Sequence, residues 1–180
     1  MGPGNFVSAG GRVVAVLGGS GAGASTIAAA LAQDLADDPR YAADVVLADL
    51  ARNAHQALLH DAGDIVPGLQ ELVEAHRCGP LDPEEIRALT FDVADRGYRL
   101  VLGLRRPRDW VAIRARAFDA ALVSLAGAAR IVVADVDPEL EGEADTGSFE
   151  VEERHLLSRS TTASVVLVLV VALPTTTGLH

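Results

Sequence analysis

The chain has 180 residues, of which 49 % are apolar, and it carries few aromatic side chains: one Trp, two Tyr and four Phe. Its formal net charge of -10 excludes general nucleic-acid binding, which requires cations to replace the counterions around phosphate. The lone cysteine, Cys78, excludes a disulfide framework and a thiolate metal cluster. One well-buried domain is expected at this length.

The first part of the chain alternates short apolar runs with helical patterns. After a glycine-rich start over residues 1–11, which we predict to be loose, the run Val13–Leu17 predicts a buried strand. A helix is predicted from Ser25 to about Asp37–Pro39, and Asp44–Leu50 predicts a second buried strand. The apolar stripe of that helix is predicted to consist of Ile27, Ala30, Leu31 and Leu35.

The rest of the chain continues this alternation. Helices are predicted over 66–76, from Asp82 through Leu89, in a long stretch from Asp109, and over 152–160. Strands are predicted over 90–93, 98–104, 131–135 and 165–173, and the last is expected to be buried on both faces because it is valine-rich. Residues 138–150 are acidic and predicted to form a solvated loop. The pattern predicts a doubly wound α/β fold, with a mostly parallel sheet and helices on both faces.

Two observations bear on the membrane and on export. The apolar run Val165–Leu173 is nine residues long, whereas a helical membrane span needs ~20 residues. The start of the chain lacks a charged segment followed by a long apolar core, which is the pattern of an export signal. We therefore expect no transmembrane segment and a cytoplasmic location.

The glycine-rich segment after the first strand carries the strongest functional signal. Gly18, Gly23 and Ser25 fall at the spacing G-x-x-x-x-G-K-[ST], with Ala24 in the lysine position. Glycines let backbone N–H groups converge on phosphate oxygens, the helix N-terminus adds the positive end of its dipole, and Ser25 would offer a hydroxyl to Mg²⁺. The predicted phosphate-binding residues are Gly18, Gly19, Ser20, Gly21, Ala22, Gly23, Ala24, Ser25 and Thr26.

The same glycine-rich residues also match the dinucleotide-binding fingerprint, but less well than they match the phosphate-loop motif. Gly19, Gly21 and Ala24 read as G-x-G-x-x-A, a motif that expects an acidic residue about 20 positions further on, at the end of a strand. Asp44 has that spacing but begins its strand, and Asp49 ends the strand but comes late. The hydroxyl pair after the loop is better explained by a nucleoside triphosphate with Mg²⁺, and the dinucleotide stays as the weaker alternative.

Two aspartates close apolar strands. Asp49 and Asp135 each lie at the carboxyl end of a run of branched aliphatic residues, and in an open parallel sheet ligands bind at that edge. Carboxylates placed there hold Mg²⁺ through water and order an attacking water molecule. We therefore predict Asp49 and Asp135 as catalytic residues and, together with Ser25, as metal-holding residues.

These motifs together resemble those of the MinD/ParA ATPases, which belong to the SIMIBI group of P-loop proteins. Residues 19–26, GSGAGAST, resemble their deviant loop K-G-G-x-G-K-[ST]-T, and the CpaE/TadZ-like and septum-site-determining-like branches are closest. VVLADL is similar to their first switch strand, with Asp49 as its aspartate. IVVADVD is similar to their Walker B strand, with Asp135 as its acid, and VVLVLVVALP to the strand that follows. The resemblance covers residues 12–174.

The resemblance implies a P-loop NTPase-like domain over residues 12–180. It implies ATP or ADP with Mg²⁺ as cofactor, and a protein partner or self-association, including a possible homodimer. The chain ends at PTTTGLH, where the family continues, so the C-terminal part of the family fold is expected to be absent.

The chain departs from the family pattern at both lysines. Gly19 holds the position of the signature lysine and Ala24 that of the ordinary P-loop lysine, which makes the Walker A motif degenerate, and Ala51 replaces a second switch aspartate. All fifteen basic side chains are Arg, which is typical of a GC-rich, actinobacterial-like genome. Losing one preorganised donor costs ~3–4 kcal/mol in comparable sites. The arginines weighed as replacements, against a reading as ordinary surface residues, are Arg52, Arg105 and Arg106.

The sequence therefore favours a nucleotide-binding regulator of spatial organisation, acting on septum, partition or pilus positioning with weak or no ATP hydrolysis. Whether the protein is an enzyme stays open at this point. The first alternative is a non-catalytic interaction module that has lost nucleotide binding, and the weaker one is a Rossmann-type dinucleotide enzyme.

Overall fold

The structure, a computed structural model, describes residues 11–175. The predicted loose N-terminus lies, apart from Gly11, outside the described residues, as do residues 176–180 of the predicted domain. Within the described range six strands form one sheet. They are β1 (Arg12–Gly18), β2 (Val45–Asp49), β3 (Phe91–Val93), β4 (Tyr98–Val101), β5 (Ile131–Val136) and β6 (Leu167–Val171).

The strand order places β2 and β5 at the centre of the sheet and β1 beside them, next to the edge strand β6. The order is β3-β4-β2-β5-β1-β6, and β1, β2, β4, β5 and β6 run parallel. β3 is a short antiparallel edge strand that pairs with β4. Because β1, β2 and β5 are neighbours and parallel, their carboxyl ends meet at one edge, where the glycine-rich loop and both predicted aspartates lie.

Helices cover both faces of the sheet. Those of the described residues are α1 (Ala24–Asp37), α2 (Gln56–Leu59), α3 (Leu69–Ala75), α4 (Pro83–Ala88), α5 (Ala115–Gly127), α6 (Phe149–Glu152) and α7 (Leu156–Ala163). α1 packs on one face, and apolar residues of α3, α4, α5 and α7 form a larger core on the other. The predicted doubly wound α/β fold is confirmed. Residues 11–175 contain no helix with the length and apolarity that a membrane crossing requires.

The predicted stripe of α1 is confirmed only in part, since Leu31 and Leu35 are partly buried and pack against the core on this face of the sheet. The buried residues of α1 are Ala28, Ala29, Ala32 and Ala36, whereas Ile27 is 44 % exposed. The opposing strand residues are bulky, Val14 and Val16 among them. Small side chains allow the helix backbone to approach such a surface closely, so shape decided the orientation here rather than hydrophobicity alone.

The predicted long helix from Asp109 is divided into two pieces. Pro107–Ala112 is a 3-10 helix, and α5 begins only at Ala115. Ile113 and Arg114 between them have extended backbone conformations. Trp110 is buried and stacks on Phe149 of α6, with ring centroids 5.6 Å apart. Two extended residues therefore interrupt a run whose apolar spacing alone predicts one continuous helix.

Two other predicted segments are corrected at their ends. The helix predicted over 152–160 is two short helices, α6 and α7, separated by a turn. The helix predicted over 66–76 begins at Leu69, because Pro67 and Gly68 precede it and Gly68 N–H donates to the Glu71 carboxylate at 2.9 Å. Of the loop predicted over 138–150, residues 138–148 are mostly exposed and form neither helix nor strand, whereas residues 149 and 150 belong to α6.

The last strand was wrongly predicted to be buried on both faces. Among the described residues β6 pairs with β1 alone, so it forms an edge of the sheet. Leu167 is 50 % exposed and Val170 is 69 % exposed. A continuous apolar run indicates a strand but carries no information on whether other elements cover the two faces of that strand.

Candidate phosphate-binding site

The predicted phosphate loop connects β1 to α1. Gly21 and Gly23 have φ angles of 78° and 86°, in the left-handed region that glycine adopts without steric cost. A Cβ at Gly18 would lie 2.5 Å from the carbonyl oxygen of Val171, so glycine is required there by close approach. No side chain of the described residues caps the start of α1. The first N–H groups of this helix are therefore available to phosphate oxygens.

A cavity of about 620 Å³ opens at this loop, within the range of about 300–1,000 Å³ typical of small-molecule sites. Its loop wall consists of Gly18, Gly19, Ser20, Gly21, Gly23, Ala24, Ser25 and Thr26. Ala22, the remaining predicted loop residue, does not line the cavity. The other lining residues are Ala51, Arg52, Asn53, His55, Leu58, Leu59 and Asp135–Glu139.

The two predicted aspartates are brought together, but only one of them faces the cavity. Asp49 and Asp135 are register partners at the ends of β2 and β5. Asp135 lines the cavity, whereas Asp49 is fully buried and is not part of its lining.

Gln56 connects these aspartates and was not found from the sequence. Its backbone N–H donates to Asp49 Oδ2 at 2.8 Å, and its side-chain Nε2 donates to Asp135 Oδ2 at 2.7 Å. The same Nε2 donates to the carbonyl oxygen of Ser25 at 2.9 Å. The side chain is fully buried. Gln56 therefore links Asp49, which does not line the cavity, to Asp135, which does.

Burial dominates the electrostatics of the two carboxyls. It raises the pKa of Asp49 to about 8, the negative charge of Asp135 adds to the rise, and the N–H of Gln56 opposes it. Burial also raises the pKa of Asp135, against hydrogen bonds from Gln56 and Ser25 that favour its ionised form. Asp49 is therefore largely protonated at neutral pH. Strongly perturbed carboxyls at the ligand-binding edge of a sheet are typical of functional sites.

A second, partly buried polar cluster contacts Gln56. His60 Nδ1 donates to the carbonyl oxygen of Gln56 at 2.8 Å, and His60 Nε2 lies 2.5 Å from the hydroxyl of Tyr98. Since the carbonyl can only accept, Nδ1 carries the proton, and Nε2 accepts from Tyr98. Burial lowers the pKa of His60, which favours this neutral form. The cluster ties the end of α2 to β4 and so holds Gln56 against the two carboxyls.

Of the three arginines considered from the sequence, the structure brings Arg52 to the loop. Its backbone N–H donates to Asp137 Oδ2 at 2.7 Å, and its Nε lies 3.4 Å from the same oxygen. Its Nη2 donates to Glu139 Oε2. Arg105 instead pairs with Glu71 at 2.9 Å, away from the loop cavity, and Arg106 is exposed and does not line it.

The residues present suit Mg²⁺ that arrives with phosphate. Within residues 11–175 there is no group of three or more His, Cys, Asp or Glu that could hold a metal ion by itself. The Ser25 hydroxyl and the Asp135 carboxylate are hard oxygen ligands, and Mg²⁺ commonly binds through one or two such groups while retaining waters and phosphate oxygens. These two side chains would hold the ion, which neutralises phosphate charge when bound.

Of the two acidic residues considered for a dinucleotide, the structure places one away from the loop. Asp44 precedes β2 and therefore lies at the opposite edge of the sheet from the loop, where it pairs with Arg130 at 3.4 Å. Asp49 is at the correct edge but is fully buried.

Comparison with known proteins supports the fold. No protein-family model and no curated protein matches the chain. A ParA family ATPase from Chlorobium tepidum has a similar structure, with a TM-score of 0.70 and 15 % identity over 93 % of this chain and 63 % of that one. The septum site-determining protein MinD of Pyrococcus horikoshii, complexed with Mg-ADP, has a TM-score of 0.64 and 16 % identity over 93 % of this chain and 60 % of that one.

A third similar structure is McdA of Cyanothece, in complex with ATP, with a TM-score of 0.64 and 17 % identity over 95 % of this chain and 60 % of that one. The chain spans about three fifths of the length of these proteins. The fold is that of the MinD/ParA-like P-loop ATPases, as the sequence motifs predicted.

Proposed function

We propose that this protein binds ATP or ADP with Mg²⁺ and acts as a MinD/ParA-like regulator of spatial organisation, with weak or no ATP hydrolysis. The observation that carries the proposal is the loop cavity, where unpaired helix amides, Ser25 and Asp135 meet at the carboxyl edge of the sheet. Proteins of the same fold have been solved with Mg-ADP and with ATP.

Binding is supported mainly by backbone groups. The loop has left-handed glycines, and a backbone of this kind forms anion-binding concavities in other proteins. The N-terminus of α1, a helix of fourteen residues, follows the loop directly and adds the positive end of its dipole. None of these donors depends on a lysine. The loop can therefore bind phosphate although Ala24 and Gly19 hold the lysine positions.

Weak hydrolysis is supported by the charges around the cavity. Asp135, Asp137 and Glu139 line it, and Arg52 is the one arginine among the lining residues of the described chain. A developing charge on the transferring phosphoryl group would find few cations to stabilise it. We propose that Asp135 contacts Mg²⁺ and that Asp49 positions it through Gln56.

Several finer properties are proposed from the likeness of fold. We propose a cytoplasmic protein that associates with itself, as a homodimer, or with a protein partner, and that acts in septum, partition or pilus positioning. Membership of the CpaE/TadZ-like or septum-site-determining-like branch and a single domain over 12–180 also stay predictions. General nucleic-acid binding is not expected at a net charge of -10.

The acidic wall of the cavity favours a second candidate. Asp137 and Glu139 already pair with the guanidinium of Arg52. These ion pairs would neutralise the charges of the cavity wall in a protein that no longer binds a nucleotide. Such a protein would act as a non-catalytic interaction module.

Calorimetric titration of the purified chain with ATP, ADP and NAD, with and without Mg²⁺, tests the proposal. We expect ATP and ADP to bind in the presence of Mg²⁺, and Asp135→Asn to weaken their affinity at least tenfold because a ligand of the ion is lost. Asp119→Asn is the matched control, since it removes the same charge from an exposed position on α5.

Three results would contradict the proposal in different ways. Absence of binding at millimolar nucleotide would refute it and favour the interaction module. A preference for NAD would favour the dinucleotide enzyme. Rapid phosphate release from ATP would show that hydrolysis does not need the missing lysines.

A further inference from the structure

Arg52 has an unusual position for an arginine that follows a strand. It lines the loop cavity, and its side chain is only 20 % exposed. Asp137 and Glu139, which come after the neighbouring strand β5, hold it there. The guanidinium is thus retained in the wall of the cavity and does not extend into solvent.

The guanidinium has a donor that the protein does not satisfy. Arg52 Nε is buried and has no hydrogen-bond partner among residues 11–175, although Asp137 Oδ2 lies 3.4 Å away. A buried donor without an acceptor is unfavourable. The planar N–H fork of arginine matches the oxygens of a phosphate group in two parallel bonds.

Both acids keep other partners if the guanidinium turns away. Asp137 retains the backbone N–H of Arg52, at 2.7 Å. Glu139 is 39 % exposed and has a second arginine, Arg154, at 3.9 Å, which also pairs with Glu143 at 3.3 Å. Withdrawal of the Arg52 side chain therefore leaves neither carboxylate both buried and without a partner.

We propose that Arg52 is the cation that contacts the bound phosphates, and that it exchanges Asp137 and Glu139 for phosphate oxygens when a nucleotide enters. The inference rests on the proposed function. It explains how a loop without lysine binds a polyphosphate beside three carboxylates. The guanidinium of Arg52 in the cavity wall supplies a positive charge that contacts the phosphates once it leaves its carboxylate partners. Glu139 and Asp137 compete with the phosphate for that guanidinium.

The experiment measures the affinity for Mg-ADP by calorimetry on the full chain. Arg52→Gln should weaken binding at least tenfold, and Arg52→Lys should recover part of that loss because it keeps the charge without the fork. Glu139→Gln should instead tighten binding severalfold, because it removes a competitor of the phosphate. Arg105→Gln, which removes a comparable ion-paired arginine away from the cavity, should leave the affinity unchanged.

The double variant Arg52→Gln/Glu139→Gln separates competition from simple repulsion. If Glu139 acts by holding Arg52, its replacement gains much less affinity when Arg52 is already absent, and the two effects are not additive. Circular dichroism on each variant checks that it is folded. Glu139→Gln keeps the test valid even if Arg52→Gln does not fold, because Arg52 then still has Asp137.

The outcomes are distinct. Wild-type affinity in a folded Arg52→Gln variant, or weaker binding in Glu139→Gln, would overturn the role of Arg52 while leaving the proposed function intact. Absence of Mg-ADP binding by the wild type itself would overturn the proposed function and this inference together.

Discussion

Replacing Asp49 with asparagine probes the buried carboxyl pair without changing the size of the side chain. Asp49 is fully buried, and Asp135 is its register partner on the neighbouring strand. The amide oxygen of asparagine can still accept the hydrogen bond that Gln56 N–H donates to Asp49 at 2.8 Å. The substitution therefore removes a titrating group and leaves the main contact of that group in place.

The expected magnitude follows from the pKa of Asp49, which burial raises from 3.8 to about 8. Because the folded-state pKa lies above the unfolded one, the stability from this group is fully present below about pH 4 and is lost as the pH rises through about 8. Each pH unit in that window costs the wild type ~1.4 kcal/mol. At neutral pH the cost is on the order of 4 kcal/mol.

The measurement is the free energy of unfolding in urea, without Mg²⁺, across that pH window. We expect Asp49→Asn to gain stability relative to the wild type as the pH rises, since asparagine has no proton to release. The comparison cancels contributions from groups that titrate equally in both proteins. Asp119→Asn, at an exposed position, serves as the control for the loss of one carboxyl group. A flat difference for Asp49→Asn, or one of opposite slope, would refute the assignment of a raised pKa.

Two further predictions concern packing. Gly103→Ala would place a Cβ 2.4 Å from the Cβ of Ala54 and 2.8 Å from Cγ of Asp49, so we expect it to lower the melting temperature. Gly127→Ala is the control and should not destabilise the protein, because a Cβ there meets nothing within 4 Å. Equal melting temperatures of the two variants would contradict this prediction. Phe118→Ala empties a fully buried position of the larger core and should reduce the free energy of unfolding by ~3–5 kcal/mol, and a loss below ~1 kcal/mol would show that the core collapses around the gap.

The part of the site that is local in sequence could be predicted. The loop glycines, Ser25 and the two aspartates lie at strand ends and turns, where a few neighbouring letters determine the backbone. Gln56 could not be found in this way, because its partners come from α1, β2 and β5 and its own segment has no apolar period. Its contacts exist only after the sheet has been assembled.

The errors in the fold have a related cause. The valine-rich run of β6 predicts a strand correctly, but its exposure depends on its place at the edge of the sheet. In α1, Ile27 has the hydrophobicity of a core residue but is 44 % exposed, whereas Ala28 and Ala32 are buried in the core that the helix forms with the sheet. Both outcomes depend on neighbours that are distant in the chain.

The stacking of Trp110 on Phe149 gives the protein an optical signal of its own. Trp110 is the only tryptophan in the chain, so its emission comes from a single ring. That ring is buried and stacks on Phe149, which is the first residue of α6 and lies near the end of the acidic segment 138–150. A movement that withdraws Phe149 would expose the indole to water and shift its emission to longer wavelength. Steady-state fluorescence of unlabelled protein therefore reports whether Phe149, near the end of the acidic segment, remains stacked on Trp110.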